Sequence, residues 1–233
     1  MSKLTIDDRL INSLVNQVSS LVGTITGWDL QIPTLRCRVL PKDQGYEEIV
    51  QGKLRLLGLP VSPQRDIVDR TVEFLVENNV LAVYEPLSNE LMVVRENVDD
   101  SNLDGLKLVL AHELTHRAQH VHHPALFERV NSILVSVFKG MESGQFDFQK
   151  LLGYSEEVKP LMTLIESHAS YVQGVLKQMH YPGAHIETRF TLPVILFRII
   201  GVGKTSQYTE GLPQVVAAMQ RGGVDGLFRS VGG

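Results

Sequence analysis

His112-Glu113-Leu114-Thr115-His116 lies where the sequence calls for a helix, and that coincidence narrows what the chain can be. Residues four apart share a helix face, one turn above the other. Two imidazoles at that spacing can hold one Zn²⁺, and the glutamate beside the first leans towards the same ion. There it can act as general base on a zinc-bound water. Asn102 or Ser101 can cap the start of this helix, with Asp104 in its first turn. Leu103, Leu106, Leu110, Leu114 and Val121 recur at helical spacing. At about 100° per residue, that stripe lies roughly opposite His112 and His116. The expectation is an amphipathic helix, one face in a core and the histidines facing a cleft or a second wall.

Hydropathy patterning and turn residues place the remaining elements. Residues 6–22 read as an amphipathic helix with Leu10, Leu14, Val18 and Leu21 on one face. Residues 23–41 are less regular, with a short apolar alternation over 35–40. Residues 46–57 look helical, and Ser62-Pro63 reads as an N-cap and first-turn proline. That helix should run to Asn79 with Val68, Val72, Leu75 and Val76 inward. Residues 80–84 and 90–94 flank Glu85-Pro86-Leu87-Ser88-Asn89 as a hairpin. The motif helix covers 103–121, Pro124 interrupts it, and 127–138 is helical again. Residues 140–153 read as a break and 155–179 as a long helix, followed by a turn at His180-Tyr181-Pro182-Gly183. Helices over 192–202, 211–220 and 224–231 complete the chain. The fold class expected is mainly α (α+β), with a small β-hairpin or sheet before the metal helix. A single domain is expected, with a helical N-terminal part over 1–80 and the metal-site core and C-terminal helices over 81–233. An extended peptide can add to a sheet edge beside the metal helix and lie across the ion.

Composition excludes several alternatives. The chain is 43% hydrophobic and 21% charged with a net charge of −4, ordinary for a globular protein. No basic stripe interleaves with aromatics, so no nucleic-acid partner is expected. The longest apolar run, 192–202, is broken by Pro193 and Arg198 and is too short to span a bilayer, so no membrane partner is expected. The single cysteine, Cys37, rules out an internal disulfide framework and reads as a small buried hydrophobe. With no signal-peptide layout at the start, the expected location is cytoplasmic. The oligomeric state is left open.

A catalytic zinc needs a third protein ligand beside an open position. His122, six residues after His116, matches a metzincin spacing, but Gln119 stands where that pattern has its glycine. Helical periodicity also continues through Val121, which turns His122 away from the metal face. Glu166 lies among Met162, Ile165 and Ala169, where a carboxylate is costly to bury unless paired or metal-bound. His168, two residues on, is a rival ligand or a supporting partner.

Three blocks carry a resemblance: Leu110-Ala111-His112-Glu113-Leu114-Thr115-His116 followed by Gln119; Leu164-Ile165-Glu166-Ser167-His168-Ala169; and Ile200-Gly201-Val202-Gly203-Lys204 leading to Gln207-Tyr208-Thr209-Glu210-Gly211. Together, across the second half of the chain, they resemble a family of zincin-like zinc metallopeptidases or hydrolases linked to coenzyme deazaflavin biosynthesis. Members of that family look like H-E-L-T-H, a later E-G-H-A, and a segment near L-G-L-x-x-K-x-x-Q-Y-x-x-G. Ser167 stands in place of the glycine, and the stretch from Gly201 to Lys204 is one residue shorter. The resemblance implies a zincin-like fold with a gluzincin-like site. His112, His116 and Glu166 would be the zinc ligands, Glu113 the base, and Tyr208 a donor to the oxyanion. The implied activity is hydrolysis of a peptide or protein substrate; the alternative is a catalytically inactive zincin fold serving as a binding or regulatory module.

Gly201-Val202-Gly203-Lys204-Thr205-Ser206 looks like the tail of a phosphate loop, but Arg198 occupies the position of its first glycine. His120, His122 and His123 read as a histidine-rich, solvated helix end that could hold a second metal. Tyr171, His180, Tyr181 and His185 are further candidates for an electrophilic helper.

Overall fold

A computed structural model describes residues 5–60, 67–142, 148–185 and 211–232. Helix α1 (Asp8–Thr26) begins at Asp7, whose carboxylate accepts from Leu10 N at 2.8 Å. It ends at Gly27, whose φ of 72° suits a residue without Cβ. Ile11, Leu14, Val15, Val18 and Val22 are buried, so the inward face is rotated from the expected one and Leu10 and Leu21 lie at its rim.

The chain then forms strand β1 (Arg36–Leu40), a π-helical turn over Tyr46–Gln51, and the short helix α2 (Gly52–Leu56). Helix α3 (Ile67–Asn79) follows, with Val72 and Val76 buried. The expected cap at Ser62-Pro63 lies outside the described residues. Strands β2 (Ala82–Glu85) and β3 (Glu90–Val94) form the expected hairpin, closed by Asn89 at φ 55°. The sheet has a third strand, and its order is β1-β3-β2. β1 runs parallel to β3 with Cys37 opposite Leu91; β2 runs antiparallel with Tyr84 opposite the same leucine.

The sheet is covered on both faces. Cys37, Ala82, Leu91 and Val93 join the main core with α1. Leu40, Val83, Met92 and Val94 meet Tyr46, Ile49, Val72 and Val76 in a second cluster. Burial on both faces explains why residues 80–84 and 91–94 are unbroken apolar runs. Burial pushes the Cys37 thiol up to about 11, with Asp8 adding to the effect. Its thiolate, the reactive form, is therefore scarce at neutral pH. Iodoacetamide labelling of the folded chain at pH 8 should be at least tenfold slower than in urea, and should accelerate as pH rises.

Helix α4 (Leu103–His122) carries the motif and starts where Asn102 Oδ1 accepts from Gly105 N at 2.9 Å. The expectation of an amphipathic helix is overturned. From Gly105 to Gln119 only Lys107 and Val109 are even partly exposed. α1 packs on one flank, β2 on another, and the later helices on the rest. Pro124 does not leave a gap but opens α5 (Pro124–Glu142), since a first-turn position needs no N–H. α6 (Phe148–His180) starts earlier than expected and runs through Pro160. The chain ends with α7 (Leu212–Gln220) and α8 (Asp225–Gly232). The molecule is thus mainly helical with a small three-stranded sheet. The 1–80 part supplies α1 to the core and β1 to the sheet. No helix among the described residues is long and apolar enough to cross a membrane.

Gly211 explains how α7 reaches α6. A Cβ there would sit 2.5 Å from Ser167 Oγ and 2.9 Å from the Thr163 carbonyl oxygen. The backbone oxygen cannot swing away, so Gly211→Ala should destabilise the fold by about 1–3 kcal/mol, read from urea unfolding.

Candidate metal centre

α4 and α6 lie side by side, and their packing sets the site. His112 and His116 come from successive turns of α4, with ring centroids 4.8 Å apart and planes at 86°. Glu166, fully buried on α6, comes between them. Its Oε2 lies 3.2 Å from His112 Nε2, and its Oε1 lies 3.7 Å from His116 Nε2. One ligand atom from each of the three residues lies within 4.8 Å of the others. A tetrahedral zinc with bonds of about 2.0–2.1 Å separates its ligand atoms by about 3.4 Å. The three side chains therefore converge at nearly the spacing a metal ion requires, and this group could hold one.

Electrostatics points the same way. Glu113 is buried on α4, and burial pushes its carboxyl up to about 7. The neighbouring Glu166 carboxylate adds to that rise; His116 and the Tyr84 N–H oppose it. Two buried carboxyl groups beside two imidazoles bring four metal-ligating side chains into one place. His112 and His116 keep 7% and 8% of their surface exposed, so the ligand edges are not sealed.

Glu113 is anchored by the sheet. Its Oε2 accepts from the backbone N–H of Tyr84 at 2.8 Å. Tyr84 lies on β2, the edge strand, where alternate N–H groups point away from β3. The Tyr84 hydroxyl lies 2.8 Å from His120 Nδ1 and accepts from Arg117 Nη1 at 3.1 Å. Arg117 is itself buried. Its Nε donates to the Leu30 carbonyl at 3.2 Å and its Nη2 to Thr34 Oγ1 at 2.7 Å. One helix face, Glu113 and Arg117, is thereby fastened to β2 and to the loop after α1.

The rival ligands go elsewhere. His122 is exposed, stacks on Trp28 at 5.3 Å, and lies 3.2 Å from the Asp29 carbonyl. His168 is fully buried behind Gln119 and stands edge-to-face against Trp28 and Phe228. Burial holds its imidazole down at about 3, helped by His116 and His123, so it is neutral. The histidine-rich helix end is not a solvated cluster either. His120 turns to Tyr84 and Phe127, and His123 to Asp225 at 3.1 Å. Tyr181 lies under Lys107, and the His185 carbonyl accepts from Asn102, about 15 Å along α4 from His112. His180 is exposed next to Tyr181, and Tyr171 packs at the rim of the core. Tyr208 and residues 201–206 lie outside the described residues.

Three participants were not foreseen. Tyr84 acts through its backbone, which no side-chain pattern signals. Arg117 sits four residues after Glu113 and Gln119 three after His116; both spacings put each pair on one helix face. Comparison with protein-family models, curated proteins and solved structures finds no match for this chain.

The convergence predicts a sharp pattern in metal content. If this group holds a metal ion, His112→Ala, His116→Ala and Glu166→Ala should each lose it in elemental analysis, while His122→Ala retains it.

Proposed function

We propose that the chain is a zinc-dependent peptidase, with His112, His116 and Glu166 as metal ligands and Glu113 as general base. The observation that carries this reading is the convergence of two imidazoles and a buried carboxylate beside a second, strand-anchored carboxylate. Two nitrogen donors and one oxygen match the His₂Glu set of catalytic zinc sites, which leaves a fourth position open. The resemblance of the three sequence blocks to zincin-like metallopeptidases supports the same assignment. Zinc, when bound, polarises a carbonyl and lowers the pKa of water.

The protein groups divide the remaining work. Glu113 has one oxygen tied to Tyr84 N, which leaves the other to take a proton from the attacking water and return it to the leaving amine. A peptide or protein substrate is what the resemblance to zincin-like metallopeptidases implies. In the resembling family's pattern, Tyr208 supplies the donor to the oxyanion. A lone, buried, unreactive cysteine fits a reducing compartment, so the cytoplasm is the proposed location.

Peptide-library cleavage by the full chain tests the proposal. A chelator should abolish cleavage and added zinc restore it. Glu113→Gln keeps an acceptor for Tyr84 N; it should retain zinc while losing about 10²–10⁴-fold in rate. A Glu113→Gln variant that holds zinc and cleaves as fast as wild type refutes the assigned base.

A further inference from the structure

Resting on the metal-centre reading above, we infer that Gln119 is a positioning residue. Its amide, locked by a backbone carbonyl of α6, fixes His116 in the tautomer that offers Nε2 to the metal.

The argument runs through hydrogen-bond parity. Gln119 is fully buried, and one of its amide atoms lies 2.8 Å from the Ile165 carbonyl oxygen. A carbonyl only accepts, so that amide atom is the nitrogen. The flipped amide would press two acceptors together at the same distance. With the nitrogen fixed, Gln119 Oε1 is the atom 2.8 Å from His116 Nδ1. An amide oxygen also only accepts, so Nδ1 carries the proton. A neutral imidazole has one N–H, which leaves the lone pair on Nε2. Nε2 is the nitrogen that lies 3.7 Å from Glu166 Oε1.

The second amide hydrogen goes to His168 Nδ1 at 3.2 Å. Ile165 and His168 lie on either side of Glu166 in the chain. One amide on α4 therefore ties the ligand His116 to the stretch of α6 that carries the ligand Glu166. It sets both the tautomer of one ligand and its distance from another. Partners of this kind are worth about 10–100-fold in metal affinity.

The test measures zinc affinity of the full chain by competition with a chromophoric chelator. Gln119→Met, which keeps the volume and loses every hydrogen bond, should bind zinc about 10–100-fold more weakly than wild type. Gln119→Glu, which keeps an acceptor for Nδ1, should bind zinc more tightly than Gln119→Met. Equal affinity of Gln119→Met and wild type, or of the two variants, overturns the positioning role. A wild-type chain that binds no zinc overturns the metal-centre reading itself, and the role falls with it. Should Gln119→Met not fold, long-range ¹⁵N–¹H spectra of the metal-free wild type decide. They should show His116 protonated at Nδ1; protonation at Nε2 overturns the inference.

Discussion

Glu166 places a carboxylate, wholly withdrawn from water, between two imidazoles of a neighbouring helix. Most of the surrounding structure follows from that one placement. A buried carboxylate is tolerated only with charge or hydrogen-bond donors around it. α4 and α6 must therefore run close enough for His112 and His116 to reach across. α4 then has no free face, because α1, β2 and the later helices close the others. Its buried polar residues cannot turn to solvent, and these are held by specific partners: Glu113 by Tyr84 N, Thr115 by the Ala111 carbonyl, Arg117 by the Leu30 carbonyl and Thr34, Gln119 by Ile165. Networks of this kind fix a single arrangement, since any slip leaves a buried group without its partner.

Much of this was legible in the residues. The spacing of His112 and His116, the capping Asn102, and the strand-like runs on either side of residues 85–89 all act locally, and the structure carries each. Glu166 stood out because a carboxylate among apolar neighbours asks for an explanation. What was not legible is tertiary. Leucines at helical spacing mark a core face but cannot say that the opposite face is buried as well, so α4 was read as amphipathic. The alternation over 35–40 marks the place of β1 but not its partner, β3, which lies far along the chain. Pro124 reads as a break, whereas it opens α5, and the long helix expected from 155 begins at Phe148 in the structure. In the sequence Gln119 marks a missing glycine and the end of one resemblance block, with nothing to say what it touches. Its role depends on Ile165 and His168, which no local pattern connects to it.

The sheet does for Glu113 what α6 does for His116. A backbone N–H on an edge strand and a side-chain amide on a helix both hold a functional group from behind, by atoms that cannot rotate out of place. Rigid elements position such groups more accurately than loops do. The two supports come from different elements packed on α4, β2 and α6. The geometry of the centre therefore reports on the packing of the whole core, not only on the five residues of the motif.

The parallel pairing of β1 with β3 has a consequence for the order of assembly. The hairpin of β2 and β3 closes over a few residues and can form early. β1 must return across about 50 residues of chain before it can pair, and closing such a loop costs entropy that only the finished core repays. The strand that holds Glu113 is thus built from the local half of the sheet. The distant half comes with α1, which packs on α4.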